Sequence, residues 1–95
     1  MAETDECTFP LGRLVMTPGF RDAMLRTGQS PTRFLLRHSQ GDWGELDDED
    51  RRANDRAVLA GERLLSAYRL ADGTAFWVVT EWDRSATTLL LPSEY

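Results

Sequence analysis

Lysine is absent: all eleven basic residues of this 95-residue chain are arginine. That removes Schiff-base chemistry and the P-loop lysine. It leaves cations whose planar fork favours paired, directional contacts over diffuse ones. Cysteine and histidine occur once each, as Cys7 and His38. One thiol closes no internal disulfide, which excludes a secreted scaffold held by such staples. One Cys and one His far apart in sequence make no zinc site. No apolar run approaches the ~18 residues of a membrane span. Glycine-rich phosphate loops, a nucleophile elbow and a dinucleotide fingerprint are also missing. Neither a cofactor nor a metal is therefore expected. The opening Met1-Ala2-Glu3-Thr4-Asp5-Glu6 is acidic where a signal or transit peptide is basic. The expectation is a cytoplasmic, single-domain protein.

What is present is segregated charge. The net charge is −5, which argues against nonspecific nucleic-acid binding. Residues 10–41 carry Arg13, Arg21, Arg26, Arg33 and Arg37 against Asp22 alone. Asp42, Glu45, Asp47, Asp48, Glu49 and Asp50 then follow without a base between them. Two readings fit this acidic block. It starts a helix, where carboxylates suit the macrodipole, or it faces a basic partner. It lacks the alternating oxygen ligands of an EF-hand.

Local patterns place the elements. Residues 1–8 are polar and aperiodic, and are expected to be a disordered segment ahead of one domain at 9–95. Leu11–Thr17 reads as a strand stopped by Pro18-Gly19. Phe20–Thr27 has helical spacing and ends at Gly28. Ser30-Pro31 starts a second helix running to Ser39. A third is expected from Asp48 to Leu65, capped by Asp47 with Asp50 at the capping-box position. Its stripe of Ala53, Ala57, Ala60, Gly61 and Leu64 is expected to admit a close neighbour. Three strands follow at 66–70, 75–81 and 86–91, the first two joined by Asp72-Gly73. The expected fold is α+β in the order β-α-α-α-β-β-β, a small antiparallel sheet packed against helices.

The middle C-terminal strand is apolar on both faces, with Phe76 and Val78 on one and Trp77 and Val79 on the other. A chain this short has difficulty covering both. Either helices split between the two faces or a back face that meets another molecule is therefore expected, and a homodimer through the sheet is a further expectation.

Chemistry-bearing groups are sparse. His38 at a helix end is expected to be a partly exposed cap. Thr32, Arg33 and Arg37 lie on the second half of a helix-turn-helix-like pair at residues 20–39 and are the candidates for a nucleic-acid groove. The candidate protein-binding residues are Asp42, Trp43, Glu45, Asp47 and Asp48, with Trp82, Asp83 and Arg84 in the last turn. Exposed Trp and Arg dominate binding energy when a partner buries them.

The motifs also resemble a known family. Phe9-Pro10-Leu11-Gly12, Thr17-Pro18-Gly19 and Arg37-His38-Ser39-Gln40-Gly41-Asp42-Trp43-Gly44-Glu45-Leu46 come first. Leu64-Leu65-Ser66-Ala67-Tyr68, Val79 through Thr88 and Leu91-Pro92-Ser93-Glu94-Tyr95 follow. Together they look like a family of small bacterial proteins from plasmids and integrated mobile elements, sometimes labelled as a restriction-system subunit. The resemblance implies a mobile-element setting and no catalytic residues. The expectation is a non-enzymatic interaction module binding a host or element-encoded protein engaged in DNA transactions or defence. A small DNA-binding regulator and a nuclease-like toxin using His38 with arginines are the alternatives.

Overall fold

A computed structural model describes residues 7–95. The elements run β1 (Arg13–Met16), α1 (Pro18–Thr27), α2 (Thr32–Ser39), α3 (Asp48–Ala60), β2 (Leu64–Arg69), β3 (Ala75–Thr80) and β4 (Ala86–Leu90), with a closing 3-10 turn at Pro92–Glu94. The α+β class and the element order are as expected. The sheet has a fourth strand and is mixed, in the order β1-β4-β3-β2. β1 joins parallel to β4, and the other pairings are antiparallel.

Each boundary has a local cause. Gly12 sits at φ 67°, and a Cβ there would lie 2.4 Å from the Arg84 carbonyl, so only glycine lets the chain enter β1. The Thr17 hydroxyl accepts from the Phe20 amide and Pro18 occupies the first turn of α1. The Asp47 carboxylate accepts from the Asp50 amide at the start of α3. The expected extent of α3 to Leu65 is corrected to Ala60. Gly61 adopts the left-handed conformation at φ 72° and ends the helix, and Leu64 then opens β2. The small-residue stripe goes with that correction: Ala53 and Ala60 are exposed, and α3 buries Asn54 and Ala57 instead. At the N-terminus, residues 1–6 of the expected disordered segment lie outside the described residues. Thr8 is held, with its amide and hydroxyl both donating to the Ser39 carbonyl.

The core lies between one sheet face and α1 and α2. Leu64, Ser66, Tyr68, Phe76, Val78, Thr80, Thr87 and Leu89 alternate inward along β2, β3 and β4 and are buried. Phe20 and Phe34 each bring their rings 4.9 Å from that of Phe76. A second cluster of Phe9, Trp43, Ala57 and Leu64 joins α3 to the first. On the back face, part of the cover comes from the chain itself. Val79 and Leu90 are 4% and 5% exposed within the single chain. Tyr95, just past the 3-10 turn, sets its ring edge-on to Trp77 at 5.3 Å.

The two sheet edges are treated differently. Along β2, the backbone groups of Leu65 and Ala67 point away from β3. The Asn54 carboxamide donates to the Leu65 carbonyl at 2.7 Å and accepts from its amide at 3.3 Å. Ala67 donates to the Trp43 carbonyl and accepts from the Glu45 amide, with Gly44 bridging between. A side chain and a loop thus stand in for the missing strand. Replacing Asn54 by Ala leaves the Leu65 pair unmet beside α3. We expect a loss of ~1–3 kcal/mol in urea unfolding and faster exchange of the Leu65 amide. A loss below ~0.5 kcal/mol would show that the carboxamide does not close this edge.

Candidate functional site

His38 is fully buried, which corrects the expectation of a partly exposed cap. Its Nδ1 lies 2.5 Å from the Ser66 hydroxyl and its Nε2 2.9 Å from that of Thr80. Thr80 and Thr87 hydroxyls are 2.7 Å apart, and Thr87 donates to the Leu11 carbonyl at 2.7 Å. That carbonyl fixes the protons as far as Nε2, because it can only accept, and the neutral state of the buried ring fixes the last. Thr87 uses its one hydrogen there, so Thr80 donates to Thr87. Thr80 then accepts from Nε2–H, and Ser66 donates to Nδ1. The imidazole is the neutral Nε2–H tautomer.

Burial pushes the His38 pKa down to about 3, and the nearby Arg84 guanidinium adds to the shift. Phe9 and Trp43 flank the ring edge-on at 5.3 and 5.6 Å. A serine donating to a histidine has the outline of a nucleophile and base. Here Ser66 is as buried as His38. A cleft of about 450 Å³ at the α1–α2 corner is lined by Gln29, Ser30, Thr32, Arg33, Phe34 and Leu36. Neither His38 nor Ser66 lines it. The relay is an internal strut between α2, β2, β3 and β4.

Arg84 is the other internal anchor. It is the only described non-glycine residue at positive φ, 61°. Its guanidinium donates to the carbonyls of Glu62, Glu81, Trp82 and Ala57 at 2.6–3.3 Å. It also stands 5.5 Å from the centre of the Phe9 ring. Ala57 and Glu62 bracket the C-terminal end of α3, where a cation suits the macrodipole. One arginine thereby ties the β3–β4 turn to that helix.

The remaining sequence-derived candidates divide by whether the fold already engages them. Asp42 holds Arg37 through Nε at 2.8 Å and Nη2 at 3.4 Å. That hydrogen bond is the main reason the Asp42 pKa is lowered and the Arg37 pKa raised. The Arg37 guanidinium also lies 4.6 Å over the Tyr68 ring. Trp43 is buried and donates to the Asp55 carboxylate at 2.9 Å. Glu45 pairs with Arg69 at 3.0 Å, and Asp47 caps α3. Asp83 accepts from the Ser85 amide at 3.0 Å. Asp48 lies 4.0 Å from Arg51 and is exposed. Trp82 is 65% exposed. Thr32 and Arg33 stay exposed on α2. The fold thus brings Asp42, Trp43 and Arg37 together at one corner, with the Asp42–Arg37 pair partly exposed, and leaves Glu45, Asp47, Asp48, Trp82, Asp83, Thr32 and Arg33 at the surface.

Sequence reasoning missed the free edge. Arg13 and Thr17 donate to the Ser85 and Leu89 carbonyls beside β4. Alternation then turns the backbone groups of Leu14 and Met16 outward. Among the described residues no strand, loop or side chain meets them. Their side chains share the sheet face of Thr87 and Leu89 and are 51% and 43% exposed. The one signal in the sequence was Leu14-Val15-Met16, apolar on both faces of a short strand. Comparison with protein-family models, with curated proteins and with solved structures returns no match.

Two outcomes test the internal anchors. Unfolded, His38 binds a proton below its ordinary pKa of 6.5; folded, it resists until about 3. Its contribution to stability is complete above 6.5 and falls with decreasing pH through that window, by about 1.4 kcal/mol per unit. Wild type should lose stability between about pH 7 and pH 5, and His38→Gln should not. Ring NMR signals that titrate near the ordinary value would contradict the buried neutral tautomer. Arg84→Ala should cost ~1–3 kcal/mol in thermal unfolding, since several carbonyls lose their donor together. An unchanged midpoint would mean that the clamp contributes nothing.

Proposed function

We propose that this chain is a non-catalytic protein-interaction module of a mobile genetic element, acting by edge-strand addition at β1. The observation that carries the reading is the asymmetry of the two edges. The β2 edge is closed by Asn54 and the Trp43–Glu45 loop. The β1 edge has neither a proline within it nor a bulge, in a continuous register from Arg13 to Met16. Such an edge is a ready template for another strand unless it is blunted. The β3–β4 turn with exposed Trp82 lies at the Arg13 end of the same edge, because Arg13 pairs with Ala86. Trp82 is therefore a second contact beside the strand.

The acidic surface contributes less in this reading, because Asp42, Glu45 and Asp47 already serve groups of their own chain. Asp48 remains at the exposed start of α3. The nucleic-acid alternative is weakened by the same logic, since the Arg37 fork is held by Asp42. The mobile-element setting, and a partner engaged in DNA transactions or defence, rest on the motif resemblance.

The test is site-specific photo-crosslinking in cells carrying the element. A photoreactive residue at Leu14 or Met16 should give adducts with protein, and one at exposed Arg52 should not. Adducts from Asp48 alone would move the contact to the acidic surface. An absence of protein adducts at every position, Trp82 included, would contradict an interaction module.

A further inference from the structure

We infer that the strand added at β1 is β1 of a second copy of this chain, antiparallel about a two-fold axis through Val15. The inference rests on the edge-addition reading and names its occupant. Three features of the edge point to a copy of itself.

The first is register. Outward backbone groups belong to Leu14 and Met16. An axis through Val15 sets Leu14 opposite Met16 of the second copy, where the two exchange both N–H···O=C bonds. The relation repeats across the axis, as an isologous contact requires. Leu14 then packs beside Met16 on one face, and the two Val15 side chains meet on the other. Shifting the axis to Met16 would place Leu14 against Pro18, which has no amide to donate. Shifting it to Leu14 would set Met16 against Gly12.

The second is charge. With the axis at Val15, Arg13 stands opposite Thr17 of the second copy. Thr17 holds the Glu94 carboxylate through its hydroxyl at 2.5 Å, and Gly19 and Leu91 amides donate to the same group at 2.8 and 3.0 Å. Those donors are neutral. Among the described residues neither Arg13 nor Glu94 has an ion-pair partner. Within one chain Arg13 and Thr17 are ~13 Å apart along the strand. Across the axis they face each other on the same side of the sheet, so the unpaired cation meets the unpaired anion twice.

The third is closure. Pairing at β1 gives one continuous sheet whose two outer strands are both β2. Both are already capped by Asn54 and the Gly44 loop. Addition therefore stops at two copies and does not propagate into a fibre.

A four-residue ladder with its flanking side chains is small beside the roughly 1,000 Å² of a stable interface. The association should be reversible, with a dissociation constant on the order of 10 µM. Sedimentation of the full chain over ~1–200 µM should show the 10.8 kDa species giving way to one of twice that mass. Leu14→Lys with Met16→Lys should abolish the shift at an unchanged circular dichroism spectrum. Arg13→Glu, exposed and outside the core, should raise the dissociation constant roughly tenfold, which keeps the test open should the double variant misfold. A wild type of 10.8 kDa throughout, or a folded double variant that pairs as tightly as wild type, would overturn the inference. Position-14 adducts with a foreign protein alongside a monomeric wild type would leave the edge-addition reading standing and remove the second copy.

Discussion

A polar group taken out of water must meet a partner, and a strand at a sheet edge carries a row of such groups. This chain meets that demand from within almost everywhere. No buried side-chain nitrogen or oxygen among the described residues lacks a partner. The β2 edge is completed by a carboxamide and a loop, and the ends of α1 and α3 by hydroxyl or carboxylate caps and left-handed glycines. The outward backbone of Leu14 and Met16 is left without such a closure among the described residues, and it coincides with two half-exposed apolar side chains.

The same economy explains why the groups most suggestive of chemistry are not arranged for it. His38 and Ser66 approach as a base and a nucleophile do, but the hydroxyl relay that ends on the Leu11 carbonyl dictates their protons. The Phe9 and Trp43 rings flank the imidazole edge-on. Arg84 resembles a binding hot spot in composition, yet its fork is filled by four carbonyls. Arg37 is held by Asp42 and stacked on Tyr68. Ordered, desolvated polar groups of this kind rigidify a small core.

Much of this fold was legible in the sequence where the signal is local. Pro18-Gly19 as the end of β1, Gly28, Asp47 and Asp72-Gly73 mark boundaries that depend only on backbone conformation and capping, although α1 begins at Pro18, two residues before the expected Phe20. Gly61 carried such a signal too, but the apolar spacing that continued to Leu64 masked it, so α3 read too long. Non-local facts were not legible. Strand order put β1 beside β4, at the end of the chain opposite in sequence, and so made it an edge. Ser66, Thr80 and Thr87 fall at inward positions of their strands, yet nothing local says that they line up across three strands on one imidazole. Trp77 looked in need of an outside partner because part of its cover comes from Tyr95, a residue past the last strand. Arg84 is ambiguous for the same reason: its carbonyl partners lie on α3 and in the turn, far apart in sequence.

The central claim is that one edge of the sheet is closed by the chain and the other is left for another strand. Amide hydrogen exchange at single-residue resolution reads both at once. In the dilute protein Leu65 and Ala67 should exchange slowly and Leu14 and Met16 quickly, with Leu14 and Met16 gaining protection as the protein associates. Leu14 and Met16 as protected as Leu65 and Ala67 in the dilute chain, or unprotected in every associated state, would contradict the account.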